Sequence, residues 1–189
     1  MGKSIKILLT VGLLLVAVSI GLAVTDFVRT AVVSDRAAAM AAQLEAALPP
    51  RTAGIADTPT ADMPVWQWDG QDVVALLTIP AYEVSLPVGA EWDAAAVATY
   101  PRRFAGTTYG DALIIGGSDR RGQLDCMDRL EIGDAVTVTD MSGAEFPYVV
   151  DRVERSTSAA ASVLSDGDAP LTLFVRDALS MEYILVRCK

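Results

Sequence analysis

Leu171-Thr172-Leu173-Phe174-Val175-Arg176 and Tyr183-Ile184-Leu185-Val186-Arg187-Cys188 are two short apolar runs near the end of the chain. Both are rich in β-branched and aromatic residues, and the stretch from Asp177 to Glu182 between them is long enough for a hairpin loop, so they read as paired strands. A cation, Arg176, ends the first run, and an aromatic, Tyr183, opens the second. The functional reading turns on these two positions and on Ser118 upstream.

Composition narrows what the chain can do. Its 189 residues carry a formal charge of −9 with no basic cluster, which excludes nucleic acid as a partner because the phosphates would be repelled. The 52% hydrophobic fraction is inflated by alanine and by one N-terminal stretch. There is no histidine, which removes the commonest general base near neutral pH and the commonest metal ligand. Cys126 and Cys188 lie too far apart for a zinc knuckle or a CxxC redox motif. They are a possible disulfide if the domain lies outside the cytoplasm. No metal is expected, since with these residues only carboxylates remain, as would suit a loosely held calcium ion at most. No glycine-rich phosphate loop is present, and no cofactor is expected.

From Ile5 to Val24 the chain reads IKILLTVGLLLVAVSIGLAV, with Lys6 its sole charge; about 20 helical residues span roughly 30 Å of hydrocarbon. This run is expected to be a transmembrane anchor. Lys3 and Lys6 precede it and Asp26 follows, which places the N-terminus in the cytoplasm and the remainder outside. The rival reading is a cleaved signal peptide, for which Gly21-Leu22-Ala23 is a poor site and the run is long, an h-region being about 7–15 residues. Phe27 to Leu48 is alanine-rich and reads as a helical stalk, stopped by Pro49-Pro50. Arg51 to Pro64, rich in Pro, Thr, Ala and Asp, reads as a flexible tether. The expected organisation is thus a cytoplasmic tip and anchor over 1–24, stalk and linker over 25–65, and an extracellular domain over 66–189, at roughly 125 residues large enough to bury a core.

Within that domain Val73 to Ile79 is a strand ended by Pro80, and Glu83 to Val88 alternates well enough to be the next. Asp93 to Ala98 opens on an N-cap residue type and should form a helical turn or two. Ala112 to Ile115 is a buried strand running into Gly116-Gly117, and Leu124 to Leu130 reads as a short helix. Ala135 to Thr139 and Glu145 to Val153 flank Met141-Ser142-Gly143 and read as a hairpin. Ser158 to Leu164 reads as a further helical turn. Short strands without strand-helix alternation give a mostly β fold: a closed, antiparallel-rich barrel with short helices rather than a doubly wound sheet.

The segments LLTIPAYEVSLPV, GDALIIGGSD, RLEIGDAVTVTDMSGAEFPYVV and LTLFVR, in that order over roughly Val74 to Cys188, resemble a sortase domain, and class B sortases more than class A. Sortases are membrane-anchored cysteine transpeptidases of Gram-positive cell surfaces that cut a sorting-signal peptide and join it to an amine on the cell wall or a pilin. The resemblance implies a nucleophilic cysteine at the end of the penultimate strand, a histidine after the central strand to manage the leaving-group proton, and an arginine opening the last strand to stabilise the oxyanion. The corresponding positions here hold Arg176, Ser118 and Tyr183, or Glu182 if the loop is shifted by one. All three functions are lost by substitution, which implies a pseudosortase. Ser118 has no imidazole to activate it and Arg176 stays protonated.

Ser118, Arg120, Arg176 and Tyr183 then become the candidate peptide contacts. Arg176 reads either as a cation in the former cleft or as a solvated strand end paired with Asp177 or Glu182, and Tyr183 either as a ligand contact or as barrel wall. The expected partners are a sorting-signal peptide, a pilin or an active sortase. The alternative is an active transpeptidase that uses Cys126.

Overall fold

The structure, a computed structural model, describes residues 3–53, 62–68, 70–110 and 112–189, and within its first helix the side chains of residues 11–25, 32 and 35–47. That helix, α1 (Lys3–Ala47), takes in both the apolar run and the stalk. The chain divides into two compact units, Met1–Val33 and Ser34–Lys189. In the first unit Leu13, Leu14 and Leu15 are exposed. Among the described residues no helix is long and apolar enough to cross a membrane; the first six residues of the run from Ile5 have side chains outside the described ones.

The second unit holds the strands. In chain order these are β1 (Thr52–Ala53), β2 (Trp66–Trp68), β3 (Gln71–Ile79), β4 (Val84–Gly89), β5 (Arg102–Ala105), β6 (Leu113–Ser118), β7 (Ala135–Asp140), β8 (Ala144–Ser156), then the short helix α2 (Ala161–Leu164), β9 (Leu171–Arg176) and β10 (Tyr183–Cys188). Neighbours run β8-β10-β9-β6-β5-β4-β3, and β7 pairs with both β3 and β8. Among the described residues, β3 to β10 therefore close into an eight-stranded barrel, which leaves its constituent strands without free edges. Most pairs are antiparallel, but β6 and β9 are parallel and in continuous register from Leu113↔Leu171 to Ser118↔Arg176.

Side-chain alternation divides the two faces of this wall. Leu113, Ile115, Leu171, Leu173, Val175, Ile184, Val186 and Cys188 enter the barrel core. Ile114, Phe174 and Leu185 face the other way and, with Leu164 of α2, form a second apolar cluster joined by Phe104 and Tyr183. Arg187 shares this outer face by its two-residue spacing and fixes α2 to it. Its guanidinium donates to the carbonyls of Leu164 and Val163 at 2.5 and 2.6 Å and to Thr172 Oγ1 at 3.1 Å, and it pairs with Glu154 at 3.4 Å. The last carbonyls of a helix have no partners inside it, so a cation there is well placed.

Three sequence expectations are corrected. Leu124 to Leu130 is a chain of turns, not a helix, held by three-residue bonds such as Arg129 N–H to the Cys126 carbonyl at 2.9 Å. The tether is attached wherever it is described: Thr52 pairs with Ala144, Met63 is buried, and Arg103 pairs with Asp62 at 2.6 Å. Residues 54–61 lie outside the described ones. The end of the stalk does not stand free either. Leu44 packs with Val73 and Met141 beside Trp66, Trp68 and Met40, while Ala37 joins the barrel core. Alanine's small side chain lets the helix approach closely here, an outcome its weak hydrophobicity did not suggest.

Leu44→Ala is expected to lower unfolding free energy by about 2–4 kcal/mol, the usual cost of emptying a buried leucine site. Denaturant melts of the full chain check this; an unchanged midpoint would mean that the end of α1 is not docked.

Candidate functional site

The three positions singled out in the sequence lie on one rung of the sheet. Ser118 on β6 is the register partner of Arg176 on β9, and Arg176 is the partner of Tyr183 on β10. Adjacent strands run about 4.8 Å apart, so the three side chains emerge side by side at one end of the wall. Glu182 lies one residue outside β10, so the rung selects Tyr183. The rung is open: Arg176 is exposed, and Ser118 and Tyr183 are half-buried. Among the described residues the Arg176 guanidinium has no hydrogen bond and no ion pair. Of the two carboxylates considered as its partners, Asp177 is bonded to Arg155 at 3.0 Å and Glu182 forms no ion pair among the described residues. Ser118 Oγ accepts the Arg120 backbone N–H at 3.3 Å, which places Arg120, also exposed, just past the same strand end.

Two aspartates shape the loops around the rung, in roles not assigned to them from the sequence. Asp119 accepts the Ala178 N–H at 2.7 Å and so ties the end of β6 to the β9–β10 loop. Asp177 organises that loop from within, accepting from Leu179 N–H at 2.8 Å, Ser180 Oγ at 2.8 Å and Arg155. The Ser180 hydroxyl first, then the Arg155 guanidinium, hold the Asp177 carboxyl well below the usual carboxylate range. The i→i+2 bond to Leu179 is an Asx-turn, a local pattern that the Asp-Ala-Leu-Ser order could have suggested. Behind these loops a cavity of about 180 Å³ is lined by apolar Leu124, Met127, Val175 and Ile184 and rimmed by Asp119 and Asp177.

One step back along the wall the floor is covered. A Cβ at Gly116 would fall 2.4 Å from Trp92 Cζ3 and 2.5 Å from Phe174 Cζ, so the absent side chain is what admits the indole. Trp92, Phe104 and Phe174 form a closed trio with ring centroids 5.3, 5.4 and 5.6 Å apart, two of the three contacts being edge-on, the arrangement that aromatic quadrupoles favour. Trp92 lies outside the strands, and no periodicity pointed to it.

Neither cysteine is near a reactive state. Both are free and buried, so the disulfide held open for Cys126 and Cys188 does not form; each thiol is packed within the barrel core. Burial pushes the Cys126 thiol up to about 11, with Asp125 adding repulsion. Burial likewise pushes Cys188 up to about 12, with Asp151 contributing. Nucleophilic attack needs the thiolate, which such values suppress at neutral pH. Among the described residues no group of three or more His, Cys, Asp or Glu is placed to hold a metal ion.

Comparison with family models and with curated proteins finds no match. Solved structures do match. Sortase A from Corynebacterium diphtheriae, as a lid mutant, aligns with a TM-score of 0.54 at 18% identity over 83% of this chain and 92% of its own. Sortase C1 from Streptococcus agalactiae aligns at 0.52 and 19% identity over 65% and 69%. Sortase C from Clostridium perfringens, solved with the C-terminal cell wall sorting motif, aligns at 0.54 and 18% identity over 62% and 70%. The chain has a sortase-like fold.

Titration should follow from the Asp177 contacts. A carboxyl depressed on folding contributes stability that is fully present above its unfolded value, about 3.9, and is lost progressively as pH falls from there through the lowered folded value, whereas the folded-state carboxyl itself titrates only at that lowered value. The Leu179 amide resonance should therefore show no inflection near pH 4 and move only in stronger acid; a midpoint near 4 would show that the loop contacts do not form.

Proposed function

We propose that this chain is a non-catalytic sortase-like protein, a pseudosortase, that holds a sorting-signal-type peptide at the Ser118-Arg176-Tyr183 rung without cutting it. The peptide arrives free or as part of a pilin, and the alternative partner is an active sortase itself. The observation that carries this reading is the rung: side by side at the strand ends stand a hydroxyl, a guanidinium and a phenol. An uncompensated guanidinium can bind a carboxylate or a peptide carbonyl but cannot attack one. The exposed arginines Arg176 and Arg120 supply charge against which an acidic or C-terminal segment would seat. A fold neighbour solved with its sorting motif supports a peptide as the type of partner.

The membrane reading belongs to the same proposal. Residues 5–24 anchor the chain with its N-terminus in the cytoplasm, and the barrel works at the outer cell surface. The apolar side chains of residues 11–16, such as Leu13 and Leu14, are exposed in their own unit, and burial in lipid would remove that surface from water. The class B likeness of the segments makes an NPxTN-like peptide a candidate beside an LPxTG-like one. Cys126 as a relocated nucleophile is disfavoured by its full burial and raised pKa.

The full chain incubated with LPxTG-like and NPxTN-like fluorogenic peptides should bind one of them saturably and release no product. Arg176→Ala should weaken that binding about tenfold, the scale of one hydrogen bond to a charged group. Product release that disappears in Cys126→Ala would show an enzyme instead.

A further inference from the structure

A second polar centre lies away from the rung. Arg102 on β5 is 8% exposed, yet among the described residues no carboxylate pairs with it. Its partners are neutral oxygens: Gln71 Oε1 at 3.0 Å, Tyr100 Oη at 3.4 Å and the Glu91 carbonyl at 3.4 Å. Among the described residues the Nε–H has no partner. The guanidinium lies over the Tyr100 ring at 5.0 Å, an attraction that offsets only part of the cost of taking a charge out of water.

The surroundings hold this cation in place. A Cβ at Gly89 would sit 3.1 Å from Arg102 Cγ and Nη1 and 3.2 Å from Tyr100 Cε2, so the glycine leaves the room that the stacked pair occupies. Arg102 opens onto a cavity of about 670 Å³ whose wall includes Met40, Gln43, Trp68 and Gln71, with Ala39 and Arg36 on the helix side. A volume of that order fits a small molecule. Arg36 adds positive charge at the exposed side. Burial pushes the Tyr100 phenol up; the Arg102 cation pulls the other way and the nearby Asp72 carboxylate adds to the rise, although Asp72 forms no ion pair with Arg102. A buried cation that forms no ion pair among the described residues, at the end of a partly apolar cavity, is suited to one anionic oxygen group on an apolar body.

We infer that the cavity between the end of α1 and the β3–β5 wall is a binding site for a small organic carboxylate, whose acid group pairs with Arg102 while its apolar part lies against Trp68 and Met40. A carboxylate is favoured over phosphate because the buried part of the site carries one positive charge. A ligand seated there would touch both the helix and the barrel and would therefore stabilise their docking. This inference is independent of the rung, which neither shares residues with the cavity nor needs it filled.

N-Acetylphenylalanine, its neutral amide and inorganic phosphate are suitable probes, titrated into the full chain with the Arg102 Nε–H resonance followed by NMR. The acid should bind saturably and shift that resonance, with the amide at least about tenfold weaker and phosphate unable to displace the acid at equal concentration. Arg102→Gln should abolish acid binding. Should that variant not fold, Ala39→Trp fills the cavity from the exposed helix side, leaves Arg102 in place and should abolish binding equally. Acid and amide binding alike, no saturable binding of the acid, displacement by phosphate, or binding that survives Ala39→Trp would each overturn the assignment.

Discussion

The parallel pairing of β6 with β9 is the contact on which the rest of the structure depends. Parallel neighbours cannot be joined by a tight turn, so more than fifty residues, including the β7–β8 hairpin and α2, are threaded between Ser118 and Leu171. That crossover closes the barrel and brings the end of β6 level with the end of β9. With the β9–β10 hairpin added, Ser118, Arg176 and Tyr183 become neighbours although they are far apart in sequence. The geometry of the rung is a consequence of register, not of any attraction among its side chains.

Register explains why so much of the wall was legible in the sequence. Leu171–Arg176 and Tyr183–Cys188 carry apolar residues on both faces because one set fills the barrel and the other is covered by α2, Phe104 and Trp92. The hairpin around Met141-Ser142-Gly143 was equally clear, since Gly143 adopts a positive φ of 83° that few other residues tolerate. Leu124 to Leu130 misled for a physical reason: its composition suits a helix, but the tie of Leu124 N–H to the Ser118 carbonyl at 3.0 Å folds the segment back on the strand end. β5, with its single parallel bridge to β4, carries too little pattern to be seen.

The candidate site was legible only in part. A family pattern located Ser118, Arg176 and Tyr183, and the structure places them together. Nothing local in the sequence pointed to Trp92 over Gly116, to the tie from Asp119 to Ala178, or to the buried charge of Arg102. Each of these depends on a contact between residues distant in the chain, such as Asp119 with Ala178 or Arg102 with Gln71. The same applies to the end of α1. Its alanines read as a free-standing stalk until a groove beside Val73 and Met141 receives Leu44.

The chemistry follows from these placements. A sortase-like fold presents, at the strand ends, a hydroxyl, a guanidinium and a phenol, while both thiols are buried in the barrel core with their ionisation suppressed. The adjacency of positions 118 and 176 is the central structural claim, and a cross-link tests it most directly. In the double variant Ser118→Cys with Arg176→Cys, mild oxidation of the full chain should give an intramolecular disulfide, because register partners fall within the roughly 4.4–6.8 Å Cα range that such a bond requires. Two thiols that stay reduced, or that join only between molecules, would contradict the account.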